Sequence, residues 1–479
     1  MVNYAAIRQG MANLGGAVSH AASGQDRAKL DEVFAPEQHA GALDPNTTIV
    51  LGARGAGKSF WAGVLGDDDL RANVALAYPH LGLENLTVRL GYTGIQNDGS
   101  VSRAVLDARV PKGSELQFAA LFWRCVVLRA MIAARSDLKP PSMLELMTQY
   151  ADPEVWEDKC HELDVELSLS NQKLIIIFDA LDSLSEDWGR LRDLLDALLE
   201  VSWSIRGYES VRTKLFLRPD QLRDIGLRFV ELPKLLAGST TLRWTGANLY
   251  GMLYARLSTA DQGGAFNELL STLGIRPAPS GLRDLRRWVL GHNRTSQESV
   301  FVLLAGMYMG RSHKKGRTYE WPINHLADGH GEVTPRSFIT LMSEAATSST
   351  STNQAVTAET IRNGLREASK LRVNQLSVEF QWIKRVLAPL SGLQVPCTVD
   401  MIEQRWDETA TIEAVMAKAE TGEFLPPIPP QIEGNLVRGL IERLVRIGVL
   451  VTRADGRYDM PDLFRVAARL LKKGGVAPG

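Results

Sequence analysis

The residues whose types and spacing point most directly to chemistry are Gly52-Ala53-Arg54-Gly55-Ala56-Gly57-Lys58-Ser59. They follow the extended apolar run Thr47-Thr48-Ile49-Val50-Leu51 and precede a helix-like stretch from Lys58 to Leu65. A strand, a glycine loop and a helix in that order aim backbone N–H groups at a phosphate. Gly52 and Gly57 allow the tight turn and the close approach of the phosphate. Lys58 is spaced to reach β- and γ-phosphates, and the Ser59 hydroxyl to sit on Mg²⁺. The expected ligands are therefore ATP and Mg²⁺. The expected cradle runs from Gly52 through Ala53, Arg54, Gly55, Ala56, Gly57, Lys58 and Ser59 to Phe60, and the alternative is a surface loop.

Lys173-Leu174-Ile175-Ile176-Ile177-Phe178-Asp179-Ala180-Leu181-Asp182 is the second chemical signal. Its isoleucine-rich run has the composition of a strand buried on both faces of a parallel sheet. Asp179 then falls at the strand's C-terminal end, where open α/β sheets bind their ligands, and is a candidate to hold Mg²⁺ through water. Asp182 is placed to orient the attacking water, or else to cap a helix predicted from Glu186. A third strand, Thr213–Arg218, brings Arg218 to the same edge, either to sense the γ-phosphate or to pair with Asp220. Leu86–Tyr92 reads as an edge strand, Leu116–Ala134 as a long apolar helix and Thr240–Trp244 as a further short strand. Thr334-Pro335-Arg336 reads as a capped helix start. Taken by itself, Arg336 at this start reads as a surface residue.

These positions need a scaffold of some size. At 479 residues the chain is long enough for two or three domains. A hydrophobic share of 45% and a charged share of 23% are ordinary for a globular protein. The net charge of −1 gives no global pull toward nucleic acid or an anionic membrane. Cys125, Cys160 and Cys397 are too scattered for a metal cluster, and their odd number suits a reducing compartment. The N-terminus lacks the apolar core of a signal peptide, and no apolar run is expected to span a membrane. The expectation is a cytoplasmic protein with no membrane partner.

Beyond the chemistry-bearing half, Gly281–Ala346 has a helical pattern, and Ala345–Thr360, rich in Ser and Thr, reads as a linker or mobile loop. Ile361–Leu371, Phe380–Leu390 and Val399–Trp406 read as helices. Thr421–Pro430 reads as a Pro-rich loop. Leu436–Ile447 reads as a helix buried through residues 436, 440, 444 and 447. A hairpin, Val449–Arg453 with Arg457–Met460, and a helix Leu463–Leu471 close the chain. Helices followed by a two-stranded wing describe a winged-helix domain. Its third helix offers Arg438, Arg443 and Arg446, with Glu442 among them, as a DNA contact or as a face turned to the rest of the chain.

Together the glycine loop, the Asp179-Ala180-Leu181-Asp182 strand end and the strand ending in Arg218-Pro219 resemble the STAND and related AAA+ group of P-loop ATPases. The resemblance covers residues from about 30 to 470. It implies an α/β fold: a parallel-sheet P-loop NTPase core with an additional strand between the two nucleotide-binding strands, a helical lid and a C-terminal winged-helix domain. The corresponding boundaries are 1–30 for an N-terminal helical segment, 31–260 for the core, 261–375 for the lid and 376–479 for the winged helix. It also implies hydrolysis of ATP to ADP and phosphate. Ala180 stands where AAA+ proteins carry a catalytic glutamate, which favours slow, switch-like turnover. Arg336 resembles the second sensor arginine of AAA+ lids, and Asp459-Met460-Pro461-Asp462-Leu463 resembles the nucleotide-contacting element of STAND winged helices, with Pro461 in place of a histidine. Bacterial ATPases of this kind often serve in anti-phage systems, each with a separate effector, so the resemblance implies such a setting, and the expected partners of this chain are further copies of itself, a separate effector protein, or both. The alternative is a DNA-loading ATPase that grips DNA through its winged helix.

Overall fold

A computed structural model describes the chain except for residues 1, 23–28, 96–97, 136–139, 186, 225–226, 261–262, 422–423, 425, 429–434 and 479. The chain divides into two compact units. One is built from Gly24–Arg243 and Gly281–Arg286, and the other from Met1–Ser23, Trp244–Ser280 and Arg287–Gly479.

The first unit is a parallel sheet between helices. Its strands are β1 (Ile49–Leu51), β2 (Leu86–Tyr92), β3 (Lys173–Phe178), β4 (Val211–Leu217) and β5 (Thr240–Thr241). Their spatial order is β2-β3-β4-β1-β5. β4 pairs with β1 on one side, Ile49 opposite Leu215, and with β3 on the other, Phe178 opposite Leu215. β4 thus lies between β1 and β3, the inserted strand that the sequence predicts, and β2 is an edge, also as predicted. β3 is buried from Leu174 to Phe178, which is why it carries an unbroken apolar run.

Four helices of this unit matter most: α1 (Lys58–Gly66), α2 (Glu115–Ala134), α3 (Pro153–Leu169) and α4 (Trp188–Ile205). α2 packs on β2, β3, α3 and α4. Trp123 anchors it: its indole N–H donates to the Leu194 carbonyl at 2.9 Å, and its ring meets Tyr92, Phe122 and Phe178 edge to face. Contrary to the sequence expectation, α2 is long and apolar enough to cross a membrane by length and composition. Its Phe122, Trp123, Val126, Val127 and Met131 instead fill the core beside the sheet.

In the second unit, the N-terminal helix Tyr4–Ala22 packs against α6 (Pro335–Thr347), and α6 against α7 (Ala358–Glu379), once α5 (Gly246–Thr259) has been passed. Thr334 caps α6 by accepting from the Ser337 N–H, with Pro335 in the first turn. The Ser/Thr-rich stretch is not a long linker. It supplies the end of α6, a short turn whose Ala355 and Val356 are buried, and Thr357 as the cap of α7. Its hydroxyls serve helix ends, the setting in which Ser and Thr are most favourable.

Toward the C-terminus come helices Ile383–Leu387, Val399–Asp407, Thr411–Glu420 and α8 (Leu436–Arg446), then the antiparallel pair β6 (Val451–Thr452) and β7 (Tyr458–Asp459). The Thr411–Glu420 helix was not foreseen. Half of the Pro-rich loop, residues 422–423, 425 and 429–430, lies outside the described residues. The closing segment is not one helix. Asp462–Arg465 makes a single turn, and Leu471–Lys472 pairs in parallel with Gln394–Val395. A fully buried Arg465 explains the break: it binds Asp462 at 2.6 Å and the carbonyls of Leu470 and Val476, both at 2.9 Å, so the tail folds around one guanidinium.

Candidate nucleotide site

The loop between β1 and α1 is shaped by its glycines. Gly55 and Gly57 have φ of 81° and 105°, in the left-handed region that side chains disfavour. Gly57 is the residue from which α1 starts. The Gly52 N–H donates to the Leu217 carbonyl at 3.1 Å, so the loop leaves directly from the β1–β4 ladder. The Lys58 ammonium is folded back on the loop, donating to the carbonyls of Gly52 at 2.8 Å and Ala53 at 3.3 Å. Ser59 is exposed, while Phe60 packs edge to face on Trp61.

Asp179 follows β3, and its N–H is tied to the Tyr92 carbonyl at 2.8 Å. Its carboxylate accepts a hydrogen bond from the Ser59 hydroxyl. Burial raises its pKa above the usual carboxylate range, and hydrogen bonds from Ser59 and Ala180, with the Lys58 charge, act against that rise. Ala180 takes a left-handed φ of 50°. That turns the chain into the single turn Leu181–Ser183, which is pinned by Ser183 Oγ to the Ala180 carbonyl at 2.7 Å and to the Tyr92 hydroxyl at 2.9 Å.

Asp182 sits on that turn with 43% of its side chain exposed and accepts from Arg218 Nη1 at 3.1 Å. It does not cap α4, because Asp187 does, accepting from the Arg190 N–H at 2.9 Å. Arg218 follows β4, and its backbone N–H donates to Gln221 Oε1 at 2.8 Å. The side chain of Asp220, the alternative partner for Arg218, lies outside the described residues. Three adjacent strands therefore carry the loop, Arg218 and the two aspartates to one edge. Arg336 belongs to the second unit, on α6, two residues past its Thr334 cap.

Sequence reasoning missed the tie behind the loop. The Trp61 indole N–H donates to His39 Nδ1 at 3.2 Å, and His39 Nε2 donates to the Arg243 carbonyl at 2.9 Å. Burial lowers the His39 pKa to about 4, so the ring is neutral. A lone histidine upstream of the glycine loop gave no signal of this. Nor did Gln221 announce that it would fix the backbone at Arg218.

Ser59 and Asp179 offer two adjacent oxygen donors. That set suits Mg²⁺, which takes few protein ligands and completes its shell with water and phosphate. Among the described residues no group of three or more His, Cys, Asp or Glu could hold a metal ion.

No family model matches the chain. No curated protein matches it. Among solved structures, it is similar to the Aeropyrum pernix ORC2 protein in ADPNP–ADP complexes at 13% identity and a TM-score of 0.30, covering 90% of this chain and 88% of that one. A Walker-type ATPase of Pyrococcus abyssi matches at 13% identity and a TM-score of 0.38, covering 91% and 96%. Cdc6p of Pyrobaculum aerophilum matches at 11% identity and a TM-score of 0.29, covering 87% and 83%. At such scores the site's chemistry follows from its own geometry.

Proposed function

We propose that the chain is a regulatory P-loop ATPase that binds ATP with Mg²⁺ and hydrolyses it slowly, its nucleotide state setting a conformation or assembly that a separate effector protein reads. The observation that supports this is the meeting, at one sheet edge, of a glycine loop, the Ser59–Asp179 hydrogen bond and the Arg218–Asp182 pair. Backbone N–H groups of the loop and the Lys58 ammonium would hold the phosphates, Lys58 exchanging its two carbonyl partners for phosphate oxygens. Ser59 and Asp179 would hold the metal, which when bound neutralises charge on the phosphates.

Slow turnover follows from which carboxylate is free to act. Asp179 is committed to Ser59, and Ala180 offers no acid. Asp182 is the remaining carboxylate on the strand end, and one of its oxygens is held by Arg218, which leaves the other to orient a water and draws basicity from the pair. Arg336 is proposed as a second arginine for the nucleotide, and an anti-phage setting is proposed from the resemblance alone. Winged-helix identity for the C-terminal helices and hairpin belongs to the same proposal.

Lys58→Ala tests the reading. It is expected to lose binding of a fluorescent ATP analogue while melting at the wild-type temperature. Retained affinity in a folded variant would remove the phosphate-cradle assignment.

A further inference from the structure

A finger in the second unit gathers positive charge, of which, among the described residues, only Arg317 is paired, with Glu298. Residues Gly306–Thr318 contain Arg311, His313, Lys314, Lys315 and Arg317 and no acidic residue. The finger is a short hairpin: Tyr308 and Arg317 form an antiparallel bridge, the Met309 N–H donates to the Gly316 carbonyl at 2.9 Å, and the Thr318 N–H donates to the Met307 carbonyl at 3.1 Å. Its base is fixed. Met309 and Thr318 are fully buried, the Thr318 hydroxyl binds the Gly306 carbonyl, and Arg362 on α7 binds the Met309 carbonyl. Its tip, Arg311–Gly316, is exposed throughout. Arg317 is used by Glu298. Arg311, Lys314 and Lys315 have no acidic partner among the described residues.

We infer that this finger is a contact for the phosphodiester backbone of a nucleic acid. Three physical points select that ligand. The chain as a whole is nearly neutral, so the charge is local and not part of a general basic surface. The tip has no aromatic or aliphatic anchor, whereas protein interfaces need a buried apolar centre and membrane surfaces an apolar face. A phosphate backbone asks only for cations and N–H donors. Preorganisation adds to this. A Cβ on Gly310 would stand 2.8 Å from Lys315 Cγ, so the lysine stem lies across the glycine and loses less rotamer freedom on binding than a free surface lysine. The contact is independent of the proposed nucleotide site and of the arginines of α8.

The test uses the full chain, wild type and the triple variant Arg311→Ala, Lys314→Ala, Lys315→Ala. Anisotropy is read on a labelled DNA duplex, an RNA duplex and poly-glutamate from about 50 to 200 mM salt. The expected result is salt-sensitive binding of at least one duplex, with the variant weakened about tenfold or more and its log–log salt slope reduced by about 2.7, at ~0.9 per lost phosphate contact. The two duplex arms identify which nucleic acid is the ligand. The ATP-induced rise in melting temperature is read in parallel and is expected to be equal in both proteins, so a failed nucleotide site and a failed finger are told apart. No salt-sensitive duplex binding by the wild type, an unchanged slope in the variant, or tighter binding of poly-glutamate than of either duplex would overturn the inference.

Discussion

Asp179 and Asp182 stand on one strand end in opposite environments, and their roles should separate on mutation. Asp179 is buried against Ser59; Asp182 is half-exposed against Arg218. Asp182→Asn is expected to keep ATP bound and to slow single-turnover hydrolysis by roughly 10²–10⁴, the range for a lost general base. Asp179→Asn is expected to weaken Mg²⁺-dependent binding by roughly 10–100-fold, as for residues that act on a metal through a water. Full activity in Asp182→Asn would reduce that residue to a tether for Arg218. His39 makes a second prediction at this scale. Its folded pKa, about 4, lies below the usual 6.5. Between those values the unfolded chain takes up a proton that the folded chain refuses, so stability falls as pH drops from 6.5 toward 4 and the loss stops below that. The window is worth about 3 kcal/mol at most. Half-buried His325, also lowered by burial, adds a loss of the same sign. Melting temperatures of wild type and His39→Gln across this range should converge at the acid end, and parallel curves would deny His39 the role.

The elements were legible where burial is two-sided and obscure where polar residues are buried. β3 and β1 announce themselves as apolar runs, and an aspartate or glycine loop must then fall at their ends. α8 shows the opposite case. A stripe at 436, 440, 444 and 447 predicts its buried face, but Val437, Leu440, Ile441 and Leu444 are buried and Leu436 is exposed, a shift of about one position. Arg443, on the opposite margin of that face, is buried as well and lies 5.4 Å from the Phe380 ring, so it is no part of an exposed basic face. No periodicity argument finds this, because an arginine is scored as polar while its stem packs as an apolar chain. Arg443→Ala is therefore expected to cost about 1–3 kcal/mol of stability, and Arg438→Ala and Arg446→Ala about 0.5 kcal/mol or less. Denaturant melts of the three variants decide it, with equal small effects placing Arg443 back on the surface. Gly364 on α7 is the other hidden feature. A Cβ there would come 2.2 Å from the Leu341 carbonyl oxygen of α6. Gly364→Ala must push the two helices apart and should destabilise by about 1–3 kcal/mol or more, against the usual gain from alanine in a helix. A variant as stable as wild type would mean that α6 and α7 can separate freely.

For the whole molecule the balance of charge matters most. A net charge of −1 over 479 residues leaves little self-repulsion to oppose association of identical chains. Within one chain, Arg218 is spent on Asp182, so an arginine supplied by a neighbour would complete the proposed site and raise turnover by about 10³-fold or more, as arginine fingers do. ATP that is bound but not yet cleaved should then favour contact between chains, and ADP should release it, because only the γ-phosphate gives the incoming arginine something to bind. Mass photometry is expected to show a multiple of the single-chain mass with a non-hydrolysable ATP analogue and Mg²⁺, and the single-chain mass with ADP. Lys58→Ala should stay at the single-chain mass with either nucleotide. Hydrolysis per chain should rise with protein concentration over the same range in which the larger species forms. Single chains in both nucleotide states, with a rate independent of concentration, would remove self-assembly from the proposed mechanism and leave the effector protein to sense the bound nucleotide directly.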